Sequence, residues 1–283
     1  EADPWMITDC DCLQDVGTNG TSMTGFYELD SNINCAATTA WNSGAGFQPL
    51  VDFNGKLDGK EFVITNLFIN RPGTERQALF SKTLGQAEIK DIGVVNADIT
   101  GGNYAAIIVA DHYGTVKQSY ASGTVDSDGF INGLLAAINN EVIEDSYVTG
   151  SLTSSSVWNG SFVGVNNDRI SRCYSTASIN AGGETGGIAG NNNGIIEDTF
   201  ATGDVSGAYY TGGFIGAHYS GTLTNNHWYN HANNPSVGNG QGGTQPTAAG
   251  SESHFYAQIN APLNNWDFTN VWQENAGAYP TLR

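Results

Sequence analysis

Apolar residues return along this chain at nearly equal steps. Val116, Ile143, Ile170, Ile196 and Leu223 lie 27, 27, 26 and 27 residues apart, and the first four open the similar phrases VKQSYASGTV, IEDSYVTGSL, ISRCYSTASI and IEDTFATGDV. Within a phrase the apolar positions are too sparse for a helix, whose buried stripe needs i, i+3, i+4 and i+7. They form short β-branched or aromatic runs cut by Gly, Asn and Ser, which predicts strands and turns. A fixed period above about 20 residues marks a solenoid or array, whose units cannot bury their apolar faces alone. About 27 residues suit two or three short strands with corners, one coil of a parallel β-helix, whereas a propeller blade takes four strands and more chain. Coils stacked at about 4.8 Å place equivalent residues over one another, so repeats become columns.

Three apolar columns follow. The first joins Ile89 to the five residues above, and the second holds Val125, Leu152, Ile179 and Val205, each nine residues further on. The third lies in the phrases Gly133-Leu134-Leu135-Ala136, Ser161-Phe162-Val163-Gly164, Gly187-Ile188-Ala189-Gly190 and Gly213-Phe214-Ile215-Gly216. The predicted fold is all-β, a right-handed parallel β-helix of about six coils. Residues 51–232 form its repeats, residues 1–50 an N-terminal cap, and residues 233–283 a C-terminal loop, short helix and Trp-rich cap. Caps are expected because an open β-helix end is an edge that invites pairing. Cys12–Val16 predicts a helical turn and Phe26–Ile33 an extended segment. Ser251 is expected to cap a short helix with Phe255 and Ile259 on one face. Trp266 and Trp272 then fold back onto the last coil; left uncovered, they form a patch for a partner.

The strand phrase with its following glycines carries a further signal. An I-x-[ND]-[SC]-Y-x-T-G-x-V strand followed by a G-L-x-G-like phrase resembles the GLUG-motif repeat of secreted bacterial and archaeal proteins. Its flanks agree: Cys10-Asp11-Cys12-Leu13-Gln14 resembles the family's C-x-x-L-Q opening, residues 26–35 its Y-x-L-x-x-D-I-x-C strand, and residues 41–50 its W-N-x-G-x-G-F-x-P phrase. Residues 53–59 resemble its F-x-G-x-L-D-G corner, and Trp266-Asp267-Phe268, Val271-Trp272 and Tyr279-Pro280 resemble its tail. The likeness covers nearly the whole chain and implies an extracellular scaffold or adhesion region, in some proteins attached to enzymes elsewhere in a longer chain. It also implies a Cys10–Cys35 disulfide, closing a loop of about 25 residues and worth roughly 3 kcal/mol. On a strand Cys12 would share a face with Cys10 and compete for Cys35. Cys173, in a column with Ser119, Ser146 and Thr199, reads as a free buried thiol.

Charge narrows the partners. Ten basic and 28 acidic residues give a net charge of −18, which disfavours nucleic acid and anionic membrane surfaces. No run of 18 apolar residues exists to span a bilayer. The opening Glu1-Ala2-Asp3-Pro4 lacks a basic and apolar leader, as expected of a mature protein whose signal peptide has gone or of a chain produced without one. An extracellular or cell-surface location, no cofactor, and self-association or a larger parent assembly complete the expectation. Calcium is suggested by Asp126 and Asp128, which superficially resemble a calcium loop; the other ligands of such a loop are missing, and a solvated turn is the plainer reading.

Candidate chemistry is sparse. Glu144-Asp145 recurs as Glu197-Asp198 two coils on, which marks a repeated structural feature rather than a catalytic acid and base. His227 and His231 have i, i+4 spacing without the Glu of a zinc-protease motif, and His112 and His218 both follow Gly-rich phrases. The strongest binding candidate is the column Tyr120, Tyr147, Tyr174 and Phe200. Facing inward, the rings form a core stack, which their large buried area favours; facing outward, they form a flat ladder able to stack on sugar rings. Beside them run Ser122, Thr149, Thr176 and Thr202, a hydroxyl ladder of the kind that could order water on ice. Asn19 and Asn159 open glycosylation sequons. The favoured function is a non-enzymatic scaffold that presents a rigid face to glycans, a host surface or its own copies. The alternatives are a polysaccharide lyase or glycoside hydrolase of the β-helix type, then ice binding.

Overall fold

A computed structural model describes residues 3–229, 234–240 and 244–283. Strands along one face stack in parallel in the order Trp5–Ile7, Phe26–Leu29, Lys56–Asp58, Glu88–Lys90, Thr115–Lys117, Val142–Glu144, Arg169–Ser171, Ile195–Glu197 and Thr222–Thr224. A seven-stranded sheet that includes Val109–His112, Ala136–Asn139 and Val163–Asn166 forms a second face, and a 12-stranded sheet that includes Tyr120–Ser127 and Tyr147–Ser154 a third. The chain is a parallel β-solenoid, and its nine rungs on the first face bracket eight turns, more than the six expected. The extra turns lie upstream, where Trp5–Ile7 and Phe26–Leu29 already act as rungs within the segment expected to be only a cap.

The columns stack in the expected register. Val116 pairs with Ile143, Ile143 with Ile170, Ile170 with Ile196 and Ile196 with Leu223, all buried; Leu57 and Tyr27 extend the column upstream through Ile89. Two residues after each first-column residue the chain turns a corner in the left-handed region. Asp91, Gln118, Asp145, Arg172, Asp198 and Asn225 have φ of 53°, 47°, 48°, 52°, 49° and 50°. A non-glycine residue there costs roughly 1 kcal/mol. The next position offsets this with a short polar side chain turned back onto the corner: Ser119 Oγ donates to the Lys117 carbonyl (2.8 Å), Ser146 Oγ to Glu144 (2.8 Å) and Thr199 Oγ1 to Glu197 (2.9 Å). Cys173 fills the same position, its Sγ donating to the Ser171 carbonyl at 3.2 Å, so this free thiol is a corner residue.

A polar column runs inside the second face. His112, Asn139, Asn166, Asn192 and His218 occupy one register position and are buried. Asn139 Nδ2 donates to Asn166 Oδ1 (2.8 Å), Asn166 Nδ2 to Asn192 Oδ1 (2.7 Å), and Asn192 Nδ2 meets His218 Nδ1 (3.1 Å). Each amide thus satisfies its neighbour one coil away, as buried polar groups must. His112 and His218 terminate this ladder.

The N-terminal helix is Cys10–Gln14, two residues earlier than expected, because Asp9 caps it by accepting from the Cys12 N–H at 2.8 Å. Cys10 is bonded to Cys35. Cys12 is free because a helix, unlike a strand, turns residues two apart to different sides. Near the C-terminus the expected helix with Phe255 and Ile259 on one face does not form. A 3-10 helix covers only Glu252–Tyr256, the Ser251 hydroxyl meets that of Ser253 (2.9 Å) instead of capping it, and Ile259 stands 82% exposed.

Candidate functional site

Ala121, Val148 and Ala201 belong to the solenoid core, so by strand alternation their neighbours Tyr120, Tyr147 and Phe200 face outward. The ring column is flat and continuous. Tyr120–Tyr147, Tyr147–Tyr174 and Tyr174–Phe200 have centroids 4.9, 4.8 and 4.8 Å apart and interplanar angles of 2°, 2° and 3°. The inward stack favoured from ring area is therefore corrected: the rings lie outside the core, yet they are not an open platform. The C-terminal segment runs back along the side of the solenoid and covers Tyr147, Tyr174 and Phe200, while Tyr120 stays half-buried.

That cover is aromatic and hydrogen-bonded. Phe255 stacks on Phe200 at 4.3 Å, Trp266 lies 5.7 Å from Phe200, and Trp272 lies 6.0 Å from Tyr174 and 6.3 Å from Tyr147. Trp272 Nε1 donates to Asp145 Oδ1 (3.1 Å), and Trp266 Nε1 donates to the Asp198 carbonyl (2.8 Å) while Asn265 Nδ2 donates to Asp198 Oδ1 (2.7 Å). The Tyr174 hydroxyl donates to the Pro280 carbonyl (2.8 Å), and the Tyr279 hydroxyl bridges Thr202 Oγ1 (2.6 Å) and Glu252 Oε1 (2.5 Å). Burial under this cover pushes the phenols of Tyr174 and Tyr279 well above their usual pKa. The two indoles thus fold back as expected, but onto a lateral face spanning several coils rather than onto the last coil.

The hydroxyl ladder shares that face. Ser122, Thr149 and Thr176 are half-buried, and Thr202 is buried against Tyr279. The recurring acids are brackets: Arg172 binds Asp145 through Nε (2.8 Å) and Nη2 (2.7 Å) and reaches Glu144 Oε2 (2.8 Å), while Arg169 pairs with Glu197. Asp126 and Asp128 are exposed, and among the described residues no group of three His, Cys, Asp or Glu is placed to hold a metal ion. His231 lies outside the described residues; His227 faces His254 with ring centroids 5.7 Å apart. His112 is wholly buried, Nε2 donating to the Val142 carbonyl (3.2 Å) and Nδ1 against the Thr83 hydroxyl (3.1 Å), and burial pushes its pKa down to about 4. Of the two sequon asparagines, Asn19 is exposed. Asn159 is a correction: its amide is buried, accepts from Asn132 Nδ2 (2.7 Å) and donates to the Ser156 carbonyl (2.7 Å), leaving no accessible nitrogen to glycosylate.

One constellation escaped the sequence reading. Tyr209, Tyr210 and Tyr219 are 50%, 46% and 45% exposed, and the Tyr219 hydroxyl donates to Glu184 Oε1 at 3.2 Å. Glu184 is itself buried, and its Oε2 has no hydrogen-bond partner. A signal was available: Ile131, Trp158, Glu184 and Tyr210 are equivalent positions of successive coils, and one of the four is a carboxylate.

Comparison with known proteins gives a fold and a partial relative. The chain superimposes on the crystal structure of a Bacteroides ovatus protein, described as a candidate immunoglobulin A1 protease, with a TM-score of 0.70 over 100% of this chain and 93% of that one, at 17% identity. The likeness is one of fold. A 144-residue segment, 49% of this chain, is 35% identical to halomucin of Haloquadratum walsbyi, and the match spans 2% of halomucin's own length. No family model matches the chain, so the GLUG resemblance rests on the motif residues quoted above.

Proposed function

We propose that this chain is a non-enzymatic extracellular or cell-surface scaffold of the GLUG-repeat kind, a rigid β-solenoid that presents its lateral faces to glycans, a host surface or copies of itself. The observation that carries this reading is the use made of the recurring charged groups. Glu144, Asp145 and Glu197 are held by Arg172 and Arg169, and Asp58 and Glu88 by Lys90 (2.7 Å) and Lys117 (2.7 Å), each pair bridging neighbouring coils. These acids brace the stack. The Cys10–Cys35 disulfide suits an oxidising compartment, and the partial likeness to halomucin supports a surface setting. The test is incubation of the purified chain with neutral and acidic polysaccharides, followed by a reducing-end assay and by ultraviolet detection of unsaturated uronides. Retention on a polysaccharide without product release is expected; steady release of oligosaccharides refutes the reading.

A further inference from the structure

We propose that Glu184, Tyr209, Tyr210 and Tyr219 form a binding site for a neutral saccharide. This inference deepens the glycan-presenting reading and rests on it. Its first ground is a substitution within the repeat. Ile131, Trp158, Glu184 and Tyr210 follow one another in register, all at corners with positive φ. Ile131 and Trp158 belong to a small apolar cluster outside the main core, which also takes in Val165. In the next coil Trp158 and Val165 are replaced by Glu184 and Asn191. Glu184 and Asn191 are 9% and 8% exposed, and Glu184 Oε2 and Asn191 Oδ1 are both buried without a partner. An acceptor left unpaired costs more than a hydrogen bond normally returns, so an apolar cover broken by two idle acceptors is a poor structural choice. A ligand supplying hydroxyl donors resolves it.

The second ground is the rim. Tyr209 opposes Gly183 across the coils, and a Cβ at Gly183 would meet its ring at 2.5 Å, so that glycine lets the ring lie down on the backbone. The Glu184 N–H donates to the Tyr209 carbonyl (2.9 Å) and the Thr185 N–H to that of Tyr210 (3.1 Å), fixing both tyrosines beside the carboxylate. Tyr210 packs edge-on to Tyr209 at 5.5 Å, and Tyr219 reaches Glu184 from the following coil. Exposed rings around buried acceptors match a pyranose, whose C–H face stacks on an aromatic and whose hydroxyls donate to a carboxylate. A neutral sugar is favoured, because a carboxylate in a chain of net charge −18 repels uronic acids. The three side-chain oxygens of Glu184 and Asn191 fall well short of the six to eight that calcium takes.

The test uses the whole chain, with tetrasaccharides of β-1,4-glucose, α-1,4-glucose, mannose and galactose as probes and tetragalacturonate as the charged control. Binding is read by saturation-transfer NMR and calorimetry, with and without a chelator. At least one neutral tetrasaccharide is expected to bind with chelator present, about tenfold more weakly in Tyr210→Ala and in Glu184→Leu. Glu184→Leu should melt no lower than the parent, because its column tolerates Ile131, while Trp5→Ala should bind normally. Lower affinity without lower stability is the outcome a purely structural Glu184 would not give. Unchanged affinity in both patch variants refutes this site while leaving the scaffold able to bind glycans elsewhere. Binding of none of the neutral probes, binding of tetragalacturonate alone, or loss of binding to the chelator also overturns it.

Discussion

Trp272→Ala tests whether the C-terminal cover is held to the solenoid by the aromatic column beneath it. Trp272 is fully buried, its ring 4.4 Å from that of Trp266 and 6.0 Å from that of Tyr174. An indole of this kind buries about 150–250 Å², worth roughly 4–6 kcal/mol at ~25 cal/mol per Å². Its bond to Asp145 adds about 1 kcal/mol, although Arg172 continues to satisfy that carboxylate in the variant. Partial collapse of the cover returns some of this, so a loss of about 3–5 kcal/mol is expected. That lowers the docking equilibrium roughly a thousandfold. Because the coils have their own core, the damage stays local: far-UV circular dichroism of the β-structure is retained, while residues 251–283 become open to limited proteolysis and amide exchange. Trp5→Ala, at a site 52% exposed, serves as the control and should cost under about 0.5 kcal/mol. A Trp272→Ala protein whose tail resists protease like the parent, with a loss under about 1 kcal/mol, would refute the reasoning.

Three further outcomes follow. His112 is neutral in the fold with a pKa of about 4 against roughly 6.5 unfolded, so the unfolded chain takes up the proton first; stability is complete above about pH 6.5 and falls by about 3 kcal/mol as pH drops toward 4. Urea midpoints across that range should fall less steeply for His112→Asn, and parallel slopes would show that His112 is not the group responsible. Cys12 is partly exposed, whereas burial pushes the Cys173 thiol up, so a disulfide-exchange dye should titrate one thiol in the native protein and two in guanidinium; rapid reaction of both would contradict the buried corner. Expressed through a glycosylating secretory pathway, the folded chain should carry glycan at Asn19 and none at Asn159, and mass spectrometry of the peptides decides it.

Much of the solenoid was legible because parallel stacking turns a sequence period directly into contacts, as the pairing of Val116, Ile143, Ile170, Ile196 and Leu223 illustrates. The direction of the tyrosines was not. Asp145 and its equivalents turn the chain through a left-handed corner two residues before each ring, which breaks the alternation that would assign a face. The tail's position was hidden for a different reason: Trp272 meets Asp145 across 127 residues, and nothing periodic links the two. Even so, Asp145 and Asp198 recur two coils apart, matching the two indoles that bind there. Glu184 went unnoticed because repeat reading rewards what recurs, and its meaning lies in not recurring.

A stack of coils ordinarily unravels from its ends, because each coil touches only its neighbours and can be lost singly. The lateral C-terminal segment changes that statistic. It grips Tyr147, Tyr174 and Phe200 on three successive coils, together with Asp145, Asp198 and Thr202 beside them. None of these coils can fray without releasing the clasp, and releasing it exposes aromatic surface on all three. What would be a linear chain of weakly dependent steps becomes, over this half of the molecule, a single cooperative block. At the other end the Cys10–Cys35 bond ties the opening helix to the residue that precedes the 3-10 helix Ala36–Gly44. The rod is fastened near both ends by devices that owe nothing to its repeat.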